Sequence, residues 1–118
     1  MKNTFVEICI YEVKPNKTEE FESLVQKVVK HHKNFPGVID VKYMKRTHRQ
    51  ESFQAAKAGK LPVKLTRAPK AITYVMYWEL KDEIAHAKAT KSGLQHFFKE
   101  FSCCLTTIPK IILGKRIR

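Results

Sequence analysis

The chain writes one pattern twice, and that repetition limits the folds open to it. The segment "IYEVK" (10–14) returns as "YWELK" (77–81), and "FPGVIDVKY" (35–43) has its echo in "IPKIILGKR" (108–116). Between the members of each pair lies a stretch with helical spacing. In the first half Phe21, Leu24, Val25, Val28 and Val29 fall at i, i+3, i+4, i+7 and i+8, one apolar stripe of a helix. Thr18 is the expected N-cap. Glu19, Glu20 and Glu22 stand in the first turn, where the helix dipole favours acids. "KHHK" (30–33) closes the helix at its negative end and "FPG" (35–37) stops it. In the second half Asp82 is the expected cap. Ile84, Leu94, Phe97, Phe98, Phe101 and Leu105 supply the stripe, and Gly93 is expected to kink or break the helix near Ser92.

Strands are expected over 4–13, 38–46, 71–80 and in "KIILGKRI" (110–117). Strand, helix, strand, written twice, is the order of a split βαβ, ferredoxin-like α+β sandwich. Its four-stranded antiparallel sheet carries both helices on one face. A chain of 118 residues has the length of a single domain, 1–118. Residues at about 47–70 break the pattern as an insertion. It is longer than the usual connection of about 4–6 residues and holds a possible short helix in "QESFQAAKAG" (50–59).

Composition excludes several classes. No apolar run approaches the roughly 20 residues of a membrane helix, and "MKNTFVEICI" lacks a signal-peptide core, so a cytoplasmic protein with no membrane partner is expected. The cysteines are Cys9, Cys103 and Cys104: an odd number, with no CxxC spacing and no Cys/His cluster, which argues against a metal site and against disulfides. His31 and His32 are adjacent, so on a helix they diverge by about 100° and read as a terminal charge cluster. No Ser/His/Asp arrangement and no glycine-rich phosphate loop is present. The net charge of +12 is large for the length and attracts anions, whether nucleic acid, a membrane surface or a small acidic ligand. A solvated basic surface explains it equally well.

The strands alternate without a polar face. In 71–80, Ile72, Tyr74, Met76 and Trp78 share one side and Thr73, Val75, Tyr77 and Glu79 the other. In the first strand Val6, Ile8 and Ile10 oppose Phe5, Cys9 and Tyr11, with Glu7 the one charge on that second side. Helices cover one face of such a sheet. The other would be a large apolar patch, and sheet-on-sheet homodimerisation is the economical way to bury it.

A strand, an acid-rich helix after "KPNKTEEF", a "FPGVIDVKY" return and a strand ending "YWELKDE" before an "AHA" helix together resemble the antibiotic biosynthesis monooxygenase-like proteins. The resemblance spans nearly the whole chain outside about 47–70. It implies a dimeric α+β barrel with a pocket between sheet and helices in each subunit. It also implies either a cofactor-free, quinone-forming monooxygenase or a heme-degrading enzyme. Trp78 matches the tryptophan that often closes the third strand of that family. Tyr74 stands where some quinone-forming members have asparagine. His86 lies near the position of a helical tryptophan, and His96 near that of the iron-ligating histidine, of the heme-degrading members; the first strand here has no asparagine. The residues assigned to a site are therefore His86 as catalytic base, since its ordinary pKa of about 6.5 suits neutral pH, and Trp78, Tyr74 and His96 as substrate-binding groups. No cofactor is expected, with heme as a lesser branch resting on His96. The substrate class is aromatic, of quinol type, or otherwise apolar.

Two rivals use the same order of elements. RNA-recognition motifs are also βαββαβ and stack bases on strand aromatics. "KAITYVMY" (70–77) fits their third-strand signature at Lys70, Val75 and Tyr77 and nearly at Tyr74, but has Ile72 where a ring should stack. Cys9 occupies the other stacking place. The insertion from Lys45 to Lys70 keeps the nucleic-acid reading alive with eight Lys/Arg against one acid, Glu51. The second rival is a dimeric ligand-sensing module without chemistry. The two main readings differ in one observable. The RNA-recognition register packs Thr73, Val75 and Tyr77 on the helices and leaves Tyr74 open, whereas the pocket register turns Tyr74 and Trp78 toward the helices.

Overall fold

The structure, a computed structural model, describes residues 3–65 and 69–118. Strands β1 (Phe5–Val13), β2 (Val38–Lys45), β3 (Ile72–Leu80) and β4 (Lys110–Lys115) form one antiparallel sheet in the order β2-β3-β1-β4. Helix α1 (Thr18–Lys33) joins β1 to β2, and α3 (Glu83–Cys104) joins β3 to β4. The insertion carries a 3-10 turn (Gln50–Ser52) running into the short helix α2 (Phe53–Lys57), and His48 pairs across to Lys64. The part of the insertion at 66–68 lies outside the described residues. No helix of the described residues is long and apolar enough to cross a membrane.

The repeated sequence pattern has a direct geometric meaning. The two echoed strands, β1 and β3, are the central pair, with Ile8 opposite Tyr77 and Tyr11 opposite Tyr74. Cys9, Tyr11 and Val13 of β1 and Tyr74, Met76, Trp78 and Leu80 of β3 turn to the helices and are buried. Phe21, Leu24, Val25 and Val28 of α1 close over them. Tyr74 and Trp78 thus lie beneath the helices, and Thr73, Val75 and Tyr77 face away. The RNA-recognition register is the reverse of this. The rings needed to stack bases are spent on the core, because Phe21 packs on Tyr74 at 4.6 Å between centroids.

Three local expectations are corrected. Thr18 is not the cap of α1: the 3-10 turn Pro15–Lys17 runs straight into the helix, Lys17 occupies the cap position, and no side chain caps it. Asp82 does cap α3, its Oδ1 accepting from Ala85 N at 2.8 Å. Ile84 is exposed, and the side of α3 that is buried in its first half is Ala85, Ala89 and Gly93, one position further on. Gly93 does not break the helix, which is continuous from Glu83 to Cys104. A Cβ at Gly93 would stand 3.1 Å from His32 Nε2. The glycine is there for close approach of α1, an advantage that offsets its poor helix propensity. At the start of α3 the same logic holds in the neighbouring turn. Gly37, with φ +88°, lies so near that an added Cβ would meet Ala85 Cβ at 2.7 Å.

Candidate functional site

Small residues at four-residue spacing, Ala85, Ala89 and Gly93, let the first half of α3 settle onto its neighbours. Beyond Gly93 the same helix presents Leu94, Phe97, Phe98 and Phe101. All four line a cavity of about 520 Å³ between this half of the helix and the sheet. Glu7, Cys9 and Tyr11 of β1, Tyr43 of β2, and Met76 and Trp78 of β3 form its floor. Val28 and His32 of α1 close one side, and Ile108, Pro109 and Ile111 lead to its mouth. The wall is predominantly apolar and aromatic, as small-molecule sites usually are.

Ser102, Thr106 and Thr107 add hydroxyls to the lining, and the charged and imidazole groups gather around Trp78. Glu7 sits directly opposite Trp78 across the β1–β3 pairing. His86, one helical turn into α3, sends its Nε2 to Glu7 Oε1 at 2.6 Å, and Thr90 Oγ1 lies 3.4 Å from the same nitrogen. Both partners of the Glu7–His86 pair are nearly buried, with side chains 10% and 13% exposed. Trp78 is wedged between two imidazoles, edge-on to His32 at 4.3 Å and tilted against His86 at 5.2 Å. Phe5 covers the outer side of His86 at 4.9 Å. Among the described residues, His32 Nδ1, Trp78 Nε1 and the Tyr43 hydroxyl are buried without hydrogen-bond partners. Buried polar atoms of this kind mark places of function or of ordered water.

Protonation follows from the apolar surroundings. Burial pushes the His32 pKa down to about 4, with the charges of His31 and His86 adding to the effect, so His32 is neutral at pH 7. Burial pushes the Cys9 thiol up to about 11, leaving it an unreactive thiol. Burial likewise raises Tyr11 and Tyr43 well above the usual phenol range.

The residues expected at a site therefore divide. Trp78 lines the cavity. His86 does not line it but holds Glu7, which does. Tyr74 is turned to the helices but lies away from the cavity, its hydroxyl donating to Glu22 Oε2 beside Phe21. Its role here is packing and a hydrogen bond to α1. His96 stands on the exposed side of α3, with Nδ1 on the Ser92 carbonyl at 2.7 Å and its ring against His31. It does not reach the cavity, so the one residue on which heme ligation rested does not fit that role. Nor does any lysine or arginine line the cavity among the described residues to pair with propionates. Two residues of the site were missed. Glu7 carried a signal, as the single charge on an otherwise apolar strand side. His32 carried none, since "KHHK" reads as solvated charge until helix α3 is seen against it.

No family model matches the chain, and no curated protein matches it in sequence. Solved structures do match. The chain superposes over 98% of its length on a conserved protein from Methanosarcina mazei Go1, covering 94% of that chain with a TM-score of 0.69 at 20% identity. A protein from Nitrosomonas europaea, provisionally described as an antibiotic biosynthesis monooxygenase, matches 98% of this chain and 92% of its own with a TM-score of 0.70 at 14% identity. A further antibiotic biosynthesis monooxygenase matches 97% of this chain and 99% of its own at TM-score 0.68 and 11% identity. The fold is that of the antibiotic biosynthesis monooxygenases. At these identities the likeness establishes the ferredoxin-like α+β architecture expected from the resemblance, with the insertion included in the overlap. The antibiotic biosynthesis monooxygenase fold hosts this cavity, but the residues inside it are this chain's own.

Proposed function

We propose that the protein binds a small aromatic molecule in the cavity under α3 and acts on it as a cofactor-free monooxygenase of quinol-type substrates. The observation that carries this reading is the Glu7–His86 pair at the edge of a predominantly apolar cavity of about 520 Å³. Oxygenation without a cofactor requires a substrate that reduces O₂ once deprotonated. The protein then supplies an acid–base group, aromatic surfaces that hold the ring, and exclusion of water. Glu7, oriented by His86, provides the first, Trp78, Phe97 and Phe101 the second, and the largely apolar lining the third.

The active form in this reading is a homodimer. Val6, Ile8 and Ile10 of β1 and Val75 and Tyr77 of β3 lie on the face away from the helices, and Met44 and Ile112 beside them are more than half exposed. An apolar sheet face of this extent is suited to a second copy. Light scattering at micromolar concentration should give a dimer; a stable monomer defeats this part. For the activity, a quinol panel should quench Trp78, the single tryptophan, and should consume O₂ in proportion to product. The Glu7→Gln variant should lose the consumption by about 10²-fold or more, the usual range for an acid–base group. Quenching without O₂ uptake across the panel would leave a ligand-binding module and refute the monooxygenase.

A further inference from the structure

Resting on the reading that the cavity binds a small aromatic molecule, we propose that Glu7 is the residue that contacts the ligand and sets its class. The ligand is a neutral, hydroxyl-bearing aromatic that donates a hydrogen bond to Glu7, and aromatic acids are rejected. His86 is the positioning residue that orients the carboxylate.

The two oxygens of Glu7 differ. Oε1 is taken by His86 Nε2 at 2.6 Å. Oε2 accepts no hydrogen bond among the described residues, and Glu7 is part of the cavity wall. His86 does not line that space. A carboxylate held by one oxygen and free at the other is an acceptor waiting for a donor, and a hydrogen bond to an ionised group is roughly twice as strong as a neutral one.

The rest of the wall decides what kind of donor. Cys9, Tyr11 and Tyr43 keep their protons at neutral pH and His32 stays neutral. Despite a net charge of +12, none of the lysines and arginines among the described residues lines the cavity. Glu7 is therefore the one anionic acceptor there, with no cation facing the ligand. An aromatic carboxylate would set a second negative charge beside it in a desolvated site, an arrangement that costs several kcal/mol when unpaired. The excess positive charge of the chain, which on composition alone invites an anionic ligand, is kept out of the cavity.

Three naphthalenes of matched size separate the possibilities by titration calorimetry: 2-naphthol, 2-methoxynaphthalene and 2-naphthoate. The wild-type protein should bind 2-naphthol at least 10-fold tighter than 2-methoxynaphthalene and should not bind 2-naphthoate measurably. In Glu7→Leu the naphthol preference should fall to within about threefold, and measurable binding of 2-methoxynaphthalene reports an intact cavity. His86→Gln, which retains an N–H donor, should keep the preference, and His86→Leu should lose it; a purely structural role would not follow the donor. Tightest binding of 2-naphthoate, or an undiminished naphthol preference in Glu7→Leu, overturns the proposal. Equal binding of naphthol and its methyl ether by the wild type overturns it too, but leaves the cavity as a ligand site. Failure of both neutral ligands to bind removes the cavity reading itself, and this proposal with it.

Discussion

Acid should unfold this protein through His32 before it does so through any carboxylate. His32 is 7% exposed, packed edge-on against Trp78 and roofed by Gly93. Burial holds its pKa at about 4 in the folded protein against an ordinary 6.5. Between those values the unfolded chain binds a proton that the folded protein refuses. Stability is therefore greatest above pH 6.5 and is lost progressively as pH falls toward 4. At about 1.4 kcal/mol for each pH unit, the gap amounts to ~3 kcal/mol. That is a large share of the roughly 5–15 kcal/mol that holds a domain of ordinary stability together. Urea unfolding at pH 7, 6, 5 and 4 measures it, with His32→Leu as the comparison, since leucine fills similar volume and does not titrate. The wild type should lose ~3 kcal/mol more than the variant across this range, mostly above pH 4.5. The carboxyls held below their usual pKa are Glu22, by the hydrogen bond from Tyr74, Glu79, where hydrogen bonds from Thr4, Tyr77 and Arg116 outweigh burial, and the exposed Glu51, by a hydrogen bond from its own backbone and by Arg49. Their contributions disappear only below about 4.5. Parallel stability curves for wild type and His32→Leu would refute the assignment.

Three further outcomes follow from single contacts. Gly37→Ala should cost about 2–3 kcal/mol in thermal or chemical unfolding, because it sets a Cβ 2.7 Å from that of Ala85 at φ +88°. Glu79→Ala should cost a similar ~2–3 kcal/mol, since Glu79 is 2% exposed and its carboxylate ties Thr4, Tyr77 and Arg116 Nη1 to the far face of the sheet. Tyr74→Phe should cost only about 1 kcal/mol, the loss of one hydrogen bond to the half-exposed Glu22, and should leave cavity-ligand affinity unchanged.

The elements were legible because each depends on local chemistry. The α1 stripe, the Asp82 cap, the stop at Gly37 and the alternation of β3 are written in consecutive residues, and all appear in the structure. The orientation of β3 was not legible. Both its sides carry apolar residues, so alternation alone cannot say which of them the helices cover. The cavity was hidden for a related reason. Leu94, Phe97, Phe98 and Phe101 read as a core stripe, but the residues of α3 that are buried at its start are the small ones at 85, 89 and 93, and the larger four line a cavity. His96 shares that helix but falls on its exposed side, a placement that a family resemblance does not carry. Glu7 and His86 are 79 residues apart, and nothing in either local sequence announces the other.

The division of labour around the cavity has a consequence for divergence. Its polar anchor, Glu7, belongs to a central strand paired on both sides, where a change disturbs two neighbours. Its capacity is set instead by rings on one half of a single helix, of which Phe98 is 60% exposed and bears little of the core. Substitutions at 94, 97, 98 and 101 can enlarge, shorten or reshape the chamber while the sheet and its carboxylate stay as they are. A lineage using this architecture can thus change which molecule it accepts faster than it changes its backbone.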